Sequence, residues 1–496
     1  MKSEVKHYIS LDPAFKQTSL STKARCAINA SRKTSSGISF NDLLPTGLSK
    51  PNMARSFRAF RRDKIGITGD ISKFFNSTFL NTDSFCYQLI VWRPHCDIQM
   101  EAEDFVMTRL FYGLSCSTVL AEASLQLICE KTIKQCTNCK FPKDKNCSGL
   151  PHKFQKMLGN IYIDDIFFSF KTGDEADQFT KFVDETLGEF QFFIKGWNIS
   201  GRKPLDNDPT LDNTGRMPLA GYKYCPALDT FQLKAPLQHT GRNFRGRIVS
   251  EKEKTIIINK KRMKIPPPPL TIKDFNDGHN LSLHTLKEVY HNSRKTLRLM
   301  ISRAAAVYDV AGIIAPLIGQ LRDVVRCTTI TMKGNYEGEV PIECWSLFME
   351  CLYEILKVCN YQYPRLQKRH LIRDGNLILI GSSDASSSQM LNFYLSYPAE
   401  GGQRIINHIL SRSYLSDIGM TIPSAELSAA SLGSFAFKTL QSELQGRLLY
   451  SIYMVDSLAI IWWCLRGSQK LKPFIYNRIL NIRSNLNTKT ELHHVI

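Results

Sequence analysis

Asp164 and Asp165 are adjacent carboxylates in Ile161-Tyr-Ile-Asp-Asp-Ile-Phe-Phe-Ser-Phe170, a run otherwise apolar, aromatic and β-branched. Such a run reads as two strands meeting at a tight turn, with the acids at its tip. Like charges side by side repel, and apolar surroundings deprive each of its hydration. A divalent cation relieves both costs, and a hard oxygen donor pair suits Mg²⁺. The plainer alternative is a turn that uses Asp-Asp for its backbone preferences alone. Asp70, in Ile67-Thr-Gly-Asp-Ile-Ser-Lys-Phe-Phe75, stands where a short strand would pass into a helix. Phe111-Tyr-Gly-Leu-Ser-Cys-Ser117 supplies a small-residue turn before a helical pattern from Thr118 to Ile133. A second carboxylate set lies far downstream. The strand pattern Asn376-Leu-Ile-Leu-Ile380 delivers Asp384 at its end, and Leu449 to Val455 delivers Asp456. Between them Glu426 sits on a helix opened by Thr421-Ile-Pro-Ser, proline being favoured in a first turn. Any one of these acids could be a plain surface charge; three in order on such elements argue for chemistry.

Cysteines make another donor group. Cys136-x-x-Cys139, with Cys129, Cys147 and His152 around it, has zinc-like spacing, although the outer intervals are irregular. Unbound thiols in a Lys-rich loop are the alternative.

The elements needed to hold these residues fit a chain of 496 residues, enough for two to four domains with their own cores. A hydrophobic share of 43% is ordinary for globular protein. The net charge of +19, from 64 Lys+Arg against 45 Asp+Glu, fits a polyanionic partner, a basic but otherwise bland protein being the other reading. Met1 to Asp12 lacks the apolar core of a secretory signal, and the apolar run Leu448 to Leu465 contains Asp456 and reads as core, not as a membrane span. Fourteen cysteines without such a signal point to reduced thiols in the cytoplasm or nucleus, so the expectation is an intracellular protein.

An Asp, then a Gly-containing turn and helix, then Tyr-x-Asp-Asp is the motif order of a reverse transcriptase palm. From about Ser19 to the C-terminus the chain resembles the polyprotein of a BEL/Pao-type LTR retrotransposon. The resemblance implies an α+β chain of reverse-transcriptase fingers, palm and thumb followed by an RNase H-like mixed α/β domain. It divides the chain into fingers at 1–62 (N-terminally incomplete), palm at 63–235, thumb and connection at 236–372, and RNase H-like domain at 373–496 (C-terminally truncated).

It also implies roles. Asp70, Asp164 and Asp165 would hold two Mg²⁺ for in-line phosphoryl transfer onto a primer 3′-hydroxyl. Lys23 and Arg25 would grip the incoming triphosphate, the Arg fork matching phosphate oxygens. Phe75 would be the steric gate against a ribose 2′-hydroxyl, its alternative being an ordinary core Phe. Tyr112 and Gly113 would let template-primer and nucleotide approach the backbone, and Lys195 would reach departing pyrophosphate. Gly221 and Tyr224 match the primer-grip hairpin. Asn29, Thr118 and Tyr224 stand where the family has Asp, Pro and Trp.

Asp384, Glu426 and Asp456 would be the two-metal carboxylates of the RNase H-like domain; Phe474 to Ile479 and His493-His-Val495 also match the family pattern. The family's fourth Asp would fall beyond Ile496, and without it the second metal should bind weakly; the expectation is a fragment or a decayed copy.

The connecting region carries nine Lys/Arg against two Glu from Gly241 to Lys264, then a proline stop at Pro266 to Pro269. A helical pattern from Leu281 to Tyr308 places Arg294, Lys295, Arg298 and Arg303 on one flank, suited to a duplex backbone. Tyr308-Asp-Val-Ala-Gly-Ile-Ile-Ala-Pro316 matches a family segment carrying a retrotransposon peptidase label. No Asp-Thr/Ser-Gly tripeptide occurs in the chain, so Asp309 reads as a helix-terminal residue and the segment as connection.

The expected function is an RNA-directed DNA polymerase acting on template-primer and dNTPs, bound through phosphate charge and hybrid shape. The alternatives are a nucleic-acid-binding retroelement fragment without catalysis, an aspartic peptidase, and an RNA-dependent RNA polymerase, which Phe75 and the RNase H-like tail oppose.

Overall fold

A computed structural model describes residues 7–15, 24–45, 52–93, 95, 97–136, 149–204, 211, 215–234, 283, 286–287, 294–359, 361–366, 375–398, 406–466, 471–486 and 490–495. The chain forms two units, one of Met1–Arg216 with Pro226–Asp229, the other of Met217–Cys225 with Thr230–Ile496. Lys23, Cys139 and Cys147 lie outside the described residues, as does the expected boundary at 372–373.

In the first unit β1 (Ser10–Phe15) pairs antiparallel with β2 (Ala24–Asn29). Ser39 caps the short helix α1 (Phe40–Leu43) in a reciprocal capping box with Asp42. Helix α2 (Met53–Phe60) follows, capped by Asn52, and leads to β3 (Ile65–Ser72). A two-stranded ribbon, β4 (Leu89–Trp92) with β5 (Glu103–Val106), precedes α3 (Ser117–Cys136) and α4 (Leu150–Leu158). Then come β6 (Ile161–Tyr162), β7 (Asp165–Phe170), α5 (Gly173–Gly188) and β8 (Phe193–Ile199).

The antiparallel sheet β6-β7-β3-β8 is the frame of this unit. β7 has no polar face because both its sides are covered. Ile166, Phe168 and Phe170 join the core formed with α3, α4 and α5. Phe167 turns the other way onto Phe60 of α2, ring centroids 6.2 Å apart, and Ser169 Oγ donates to the carbonyl of Ala59. That two-sided burial is why the sequence shows a continuous apolar run instead of an alternation.

The second unit contains the sheet β12-β11-β10-β9, from β9 (Met217–Leu219), β10 (Tyr222–Cys225), β11 (Thr230–Leu233) and β12 (Tyr363–Pro364). It also holds the helices α6 (Leu297–Ala306), α7 (Ala315–Thr331) and α8 (Ile342–Cys359). A five-stranded sheet follows, formed by β13 (Leu377–Ala385), β14 (Gln389–Pro398), β15 (Asn407–Leu415), β16 (Leu448–Val455) and β17 (Thr490–His494) in the order β15-β14-β13-β16-β17. β13, β16 and β17 run parallel, and β14 and β15 antiparallel to their neighbours. Parallel neighbours need crossovers: α9 (Ile422–Glu443) links β15 to β16, and α10 (Leu458–Arg466) with α11 (Pro473–Asn485) links β16 to β17. Leu427, Phe437, Leu440, Ile479 and Ile482 from these helices fill the core over Leu379, Tyr394 and Tyr453.

The segment before α7 is tied to edge strand β15: Ser411 N donates to Ala311 O at 3.0 Å and Arg412 Nη1 to Val310 O at 3.2 Å. Arg326 of α7 donates to the carbonyl of Ser416. Of the expected cationic flank, Arg298 pairs with Glu337 and Arg303 is buried, so Arg303 presents no charge to a duplex.

Candidate active site

A two-residue loop, Ile163-Asp164, joins β6 to β7 between the paired Tyr162 and Asp165. Ile163 has φ +59°, a left-handed backbone that a β-branched side chain resists, so the tip carries local strain of about 1–3 kcal/mol. Strain of that kind persists only where surrounding structure holds it. Here Ile71 N donates to Asp164 O at 2.9 Å, stapling the tip to β3.

The register of β3 on β7 pairs Asp70 with Asp165 directly. Cross-strand partners put Cβ atoms about 4.5–5.5 Å apart on one face. Burial, then the Asp164 and Asp70 charges, push the Asp165 carboxyl up to about 7. Asp164 is raised as well, by burial first and by Asp70 second. Lys195, on the neighbouring strand β8, brings Nζ to 2.5 Å from Asp70 Oδ1. The contact is a charge pair without hydrogen-bond alignment, and that buried oxygen has no hydrogen-bond partner. Three crowded acids, one of them raised into the neutral range, form a donor set that fits a hard divalent cation. Among the described residues no three ligand-type side chains yet converge on a single metal position, the Lys195 ammonium standing against Asp70 instead.

Other predicted residues belong to the first unit. Phe75 begins a single 3₁₀ turn after β3, half-buried, its ring 5.4 Å from that of Phe74. Tyr112 is 42% exposed. Gly113 has φ +108°, and a Cβ there would lie 2.7 Å from Ile28 O, so only glycine lets this turn approach β2. Asn41 was not expected: its amide donates to Gly113 O at 2.8 Å and accepts from Ser115 N at 2.9 Å, bridging α1 to the turn. Its one sequence signal is its place inside the Ser39–Asp42 capping box. Asn29 donates to Asp12 Oδ2 at 2.7 Å, fastening β2 to β1. Arg25 lies on β2 opposite Ala14.

The zinc reading gains nothing from Cys129. It is buried in the core of the first unit on α3, and burial pushes its thiol up to about 11, which disfavours the thiolate a metal needs. Cys136 ends the same helix.

In the second unit Gly221 has φ +86°, and a Cβ there would meet Tyr308 Cδ1 at 2.2 Å. Tyr224 is fully buried on β10, so its ring is core and faces no solvent. Tyr222, which sequence reading left unremarked, donates to Asp309 Oδ1 at 2.5 Å and accepts from Ala311 N at 2.9 Å. Asp309 also accepts from Gly312 N and Ile314 N, at 2.9 and 2.7 Å. Its carboxylate is spent on backbone donors at the entry to α7, a structural use.

The downstream acids lie near enough for their charges to act on one another, though among the described residues no three ligand-type side chains gather at one metal position. Asp384 ends β13, Asp456 follows β16, and Glu426 stands one turn into α9. Burial raises Glu426, and the Asp456 and Asp384 charges add to it. Burial also raises Asp456, followed by Asp384 through its charge and a carboxyl–carboxyl hydrogen bond. Two neighbours join them. Ser457 hydrogen-bonds Glu426, and His494 Nε2 donates to the Asp456 carbonyl at 2.8 Å.

Residues 296–457 match the family model described as a Pao retrotransposon-like RNaseH-like domain. The description is RNaseH-like and not peptidase, and the match takes in α6–α8 together with four of the five strands of the sheet, β13 to β16. No curated protein matches the sequence. Among solved structures, the foamy viral protease-reverse transcriptase dRH in complex with ds DNA aligns over 100% of this chain and 66% of its own, at 15% identity and a TM-score of 0.51. The same viral protein in complex with dsDNA gives 100% and 79%, with 15% identity and a TM-score of 0.50. Its complex with an RNA/DNA hybrid aligns at 15% identity with a TM-score of 0.49, and this chain spans 51% of that one. The fold is therefore that of a reverse transcriptase with an RNase H-like domain. No helix among the described residues is long and apolar enough to cross a membrane.

Proposed function

We propose that this chain, whose residues 296–457 carry a Pao retrotransposon-like RNaseH-like domain, is the RNA-directed DNA polymerase of a retroelement, acting on a template-primer and dNTPs. One observation carries the reading: the β3–β7 register sets Asp70 against Asp165, so that three acids crowd one strained hairpin tip. Asp70, Asp164 and Asp165 would hold Mg²⁺. When bound, it would supply activation of the primer 3′-hydroxyl and charge stabilisation of the leaving group. Lys195, on the strand beside Asp70, is placed to meet a phosphate once its carboxylate partner turns to a metal. Lys23 and Arg25 grip the triphosphate, and Gly113 lets backbone and substrate come close. Asp384, Glu426 and Asp456 form the corresponding carboxylate set of the RNase H-like domain.

The testing experiment is primer extension on a homopolymer RNA template with Mg²⁺, where the wild type extends and Asp164→Asn does not; a wild type that never extends sinks the proposal. Phe75 blocks a ribose 2′-hydroxyl by bulk. Phe75→Ala should raise ribonucleotide relative to deoxyribonucleotide insertion roughly 10- to 200-fold, the range for a changed apolar contact. An unchanged ratio in competition assays would return Phe75 to the core.

A second reading is favoured by the open ligand set, since no three donors converge among the described residues. In it the chain binds nucleic acid without turnover. Affinity that falls steeply with salt, combined with no Mg²⁺-dependent extension, is its signature.

A further inference from the structure

The turn at Tyr112–Gly113 seats closely on β2, a Cβ on Gly113 being placed 2.7 Å from Ile28 O. One residue ties the two segments together. Asn41 N donates to Ala30 O at 3.0 Å, just past the end of β2. Its side-chain amide donates to Ser31 Oγ at 2.9 Å and to Gly113 O at 2.8 Å, and its Oδ1 accepts from Ser115 N at 2.9 Å.

These contacts select the residue type. Turned over, the amide would set its N–H groups against the Ser115 N–H and its oxygen against Gly113 O, so the pattern admits one orientation. An ionised Asp has no donor for the Gly113 carbonyl, and Gln carries its amide one methylene further out. The helix that presents Asn41 is itself held by the Ser39–Asp42 capping box. Ser115 Oγ adds a longer contact to Leu44 O, at 3.4 Å, at the end of that helix. A planar amide fixed at both ends acts as a strut between the exit of β2 and the turn.

We infer that Asn41 is a positioning residue for the incoming nucleotide, its amide fixing how the Tyr112–Gly113 turn seats against β2, the strand of Arg25. The turn offers a surface to a substrate, since Tyr112 and Gly113 are both exposed. A nucleotide held by the strand at its phosphates and by the turn at its other end needs the two in one fixed relation, and a small misplacement is costly. The inference rests on the polymerase reading above. It adds a residue that acts through the turn, apart from the carboxylates.

The test is single-nucleotide extension by the full chain on an RNA template, which separates kcat from the KM for the dNTP. Asn41→Ala should raise that KM roughly ten-fold and leave kcat within about two-fold, the turn losing its seat while Asp70, Asp164 and Asp165 stay in place. A variant that merely unfolds in part lowers kcat at constant KM, so the split survives a loss of stability. Template-primer affinity, read by fluorescence anisotropy without dNTP, should match wild type. Ser31→Ala removes only the contact at the exit of β2 and should keep KM within about two-fold of wild type. A kcat that falls while KM holds overturns the role of Asn41, as does an equal rise of KM in Ser31→Ala, weakened template-primer binding, or Asn41→Ala kinetics identical to wild type. In each of these cases wild type still extends and the polymerase reading stands. A wild type that never extends overturns that reading, and the role of Asn41 with it.

Discussion

Asp165→Asn is expected to reduce Mg²⁺-dependent primer extension to background while making the folded chain more stable above pH 7. The folded carboxyl titrates near 7, against an ordinary value of 3.8, because burial and the charges of Asp164 and Asp70 oppose its ionisation. Between those two values the folded state holds more protons than the unfolded one. Stability from this group therefore falls as pH rises through that window, the cost being absent below the unfolded value and complete above the folded one. A shift of this size corresponds to a cost on the order of a few kcal/mol. Asparagine cannot ionise, so the variant should lose this pH dependence and melt higher than wild type above pH 7. Mg²⁺ should raise the wild-type melting temperature in that range and leave the variant's nearly unchanged, since a ligand that binds only the native state stabilises it. Thermal melts across pH, with and without MgCl₂, measure both effects. A variant less stable than wild type at every pH would mean that the hairpin tip is not electrostatically strained.

Asp309→Ala should unfold the second unit at a lower temperature and yield no peptidase phenotype. Its carboxylate accepts from the Tyr222 hydroxyl and from the backbone of Gly312 and Ile314, knotting the strand β10 to the entry of α7. Hydrogen bonds to a charged group contribute about 1.5–3 kcal/mol each, so losing three costs at least about 4 kcal/mol. For a unit of this size that lowers the melting temperature by roughly 10 °C. Asp309→Asn, which keeps acceptor oxygen at one position, should recover part of the loss. Proteolysis of a substrate by wild type that disappears in Asp309→Asn with the melting temperature intact would instead give this residue a catalytic role.

Much of the site was readable from local pattern. The Tyr162–Asp165 hairpin, the strand delivering Asp384 and the helix carrying Glu426 announce themselves through apolar periodicity and a proline at a helix entry. Those signals span a few residues and owe little to the rest of the fold. Tyr224 shows the limit: its place in a hairpin was legible, but a sequence does not tell which face of a short strand meets the core. Asn41 and Tyr222 were missed because each acts through a partner far away in sequence, and a lone Asn or Tyr carries no periodicity.

The sequence by itself determined the chemical kit, namely the carboxylates, the elements that carry them and the cationic excess. Only the tertiary structure decided which of these groups meet. A one-residue slip of β3 against β7 would turn Asp70 to the opposite face, and the register that prevents it comes from cores on both sides of the sheet.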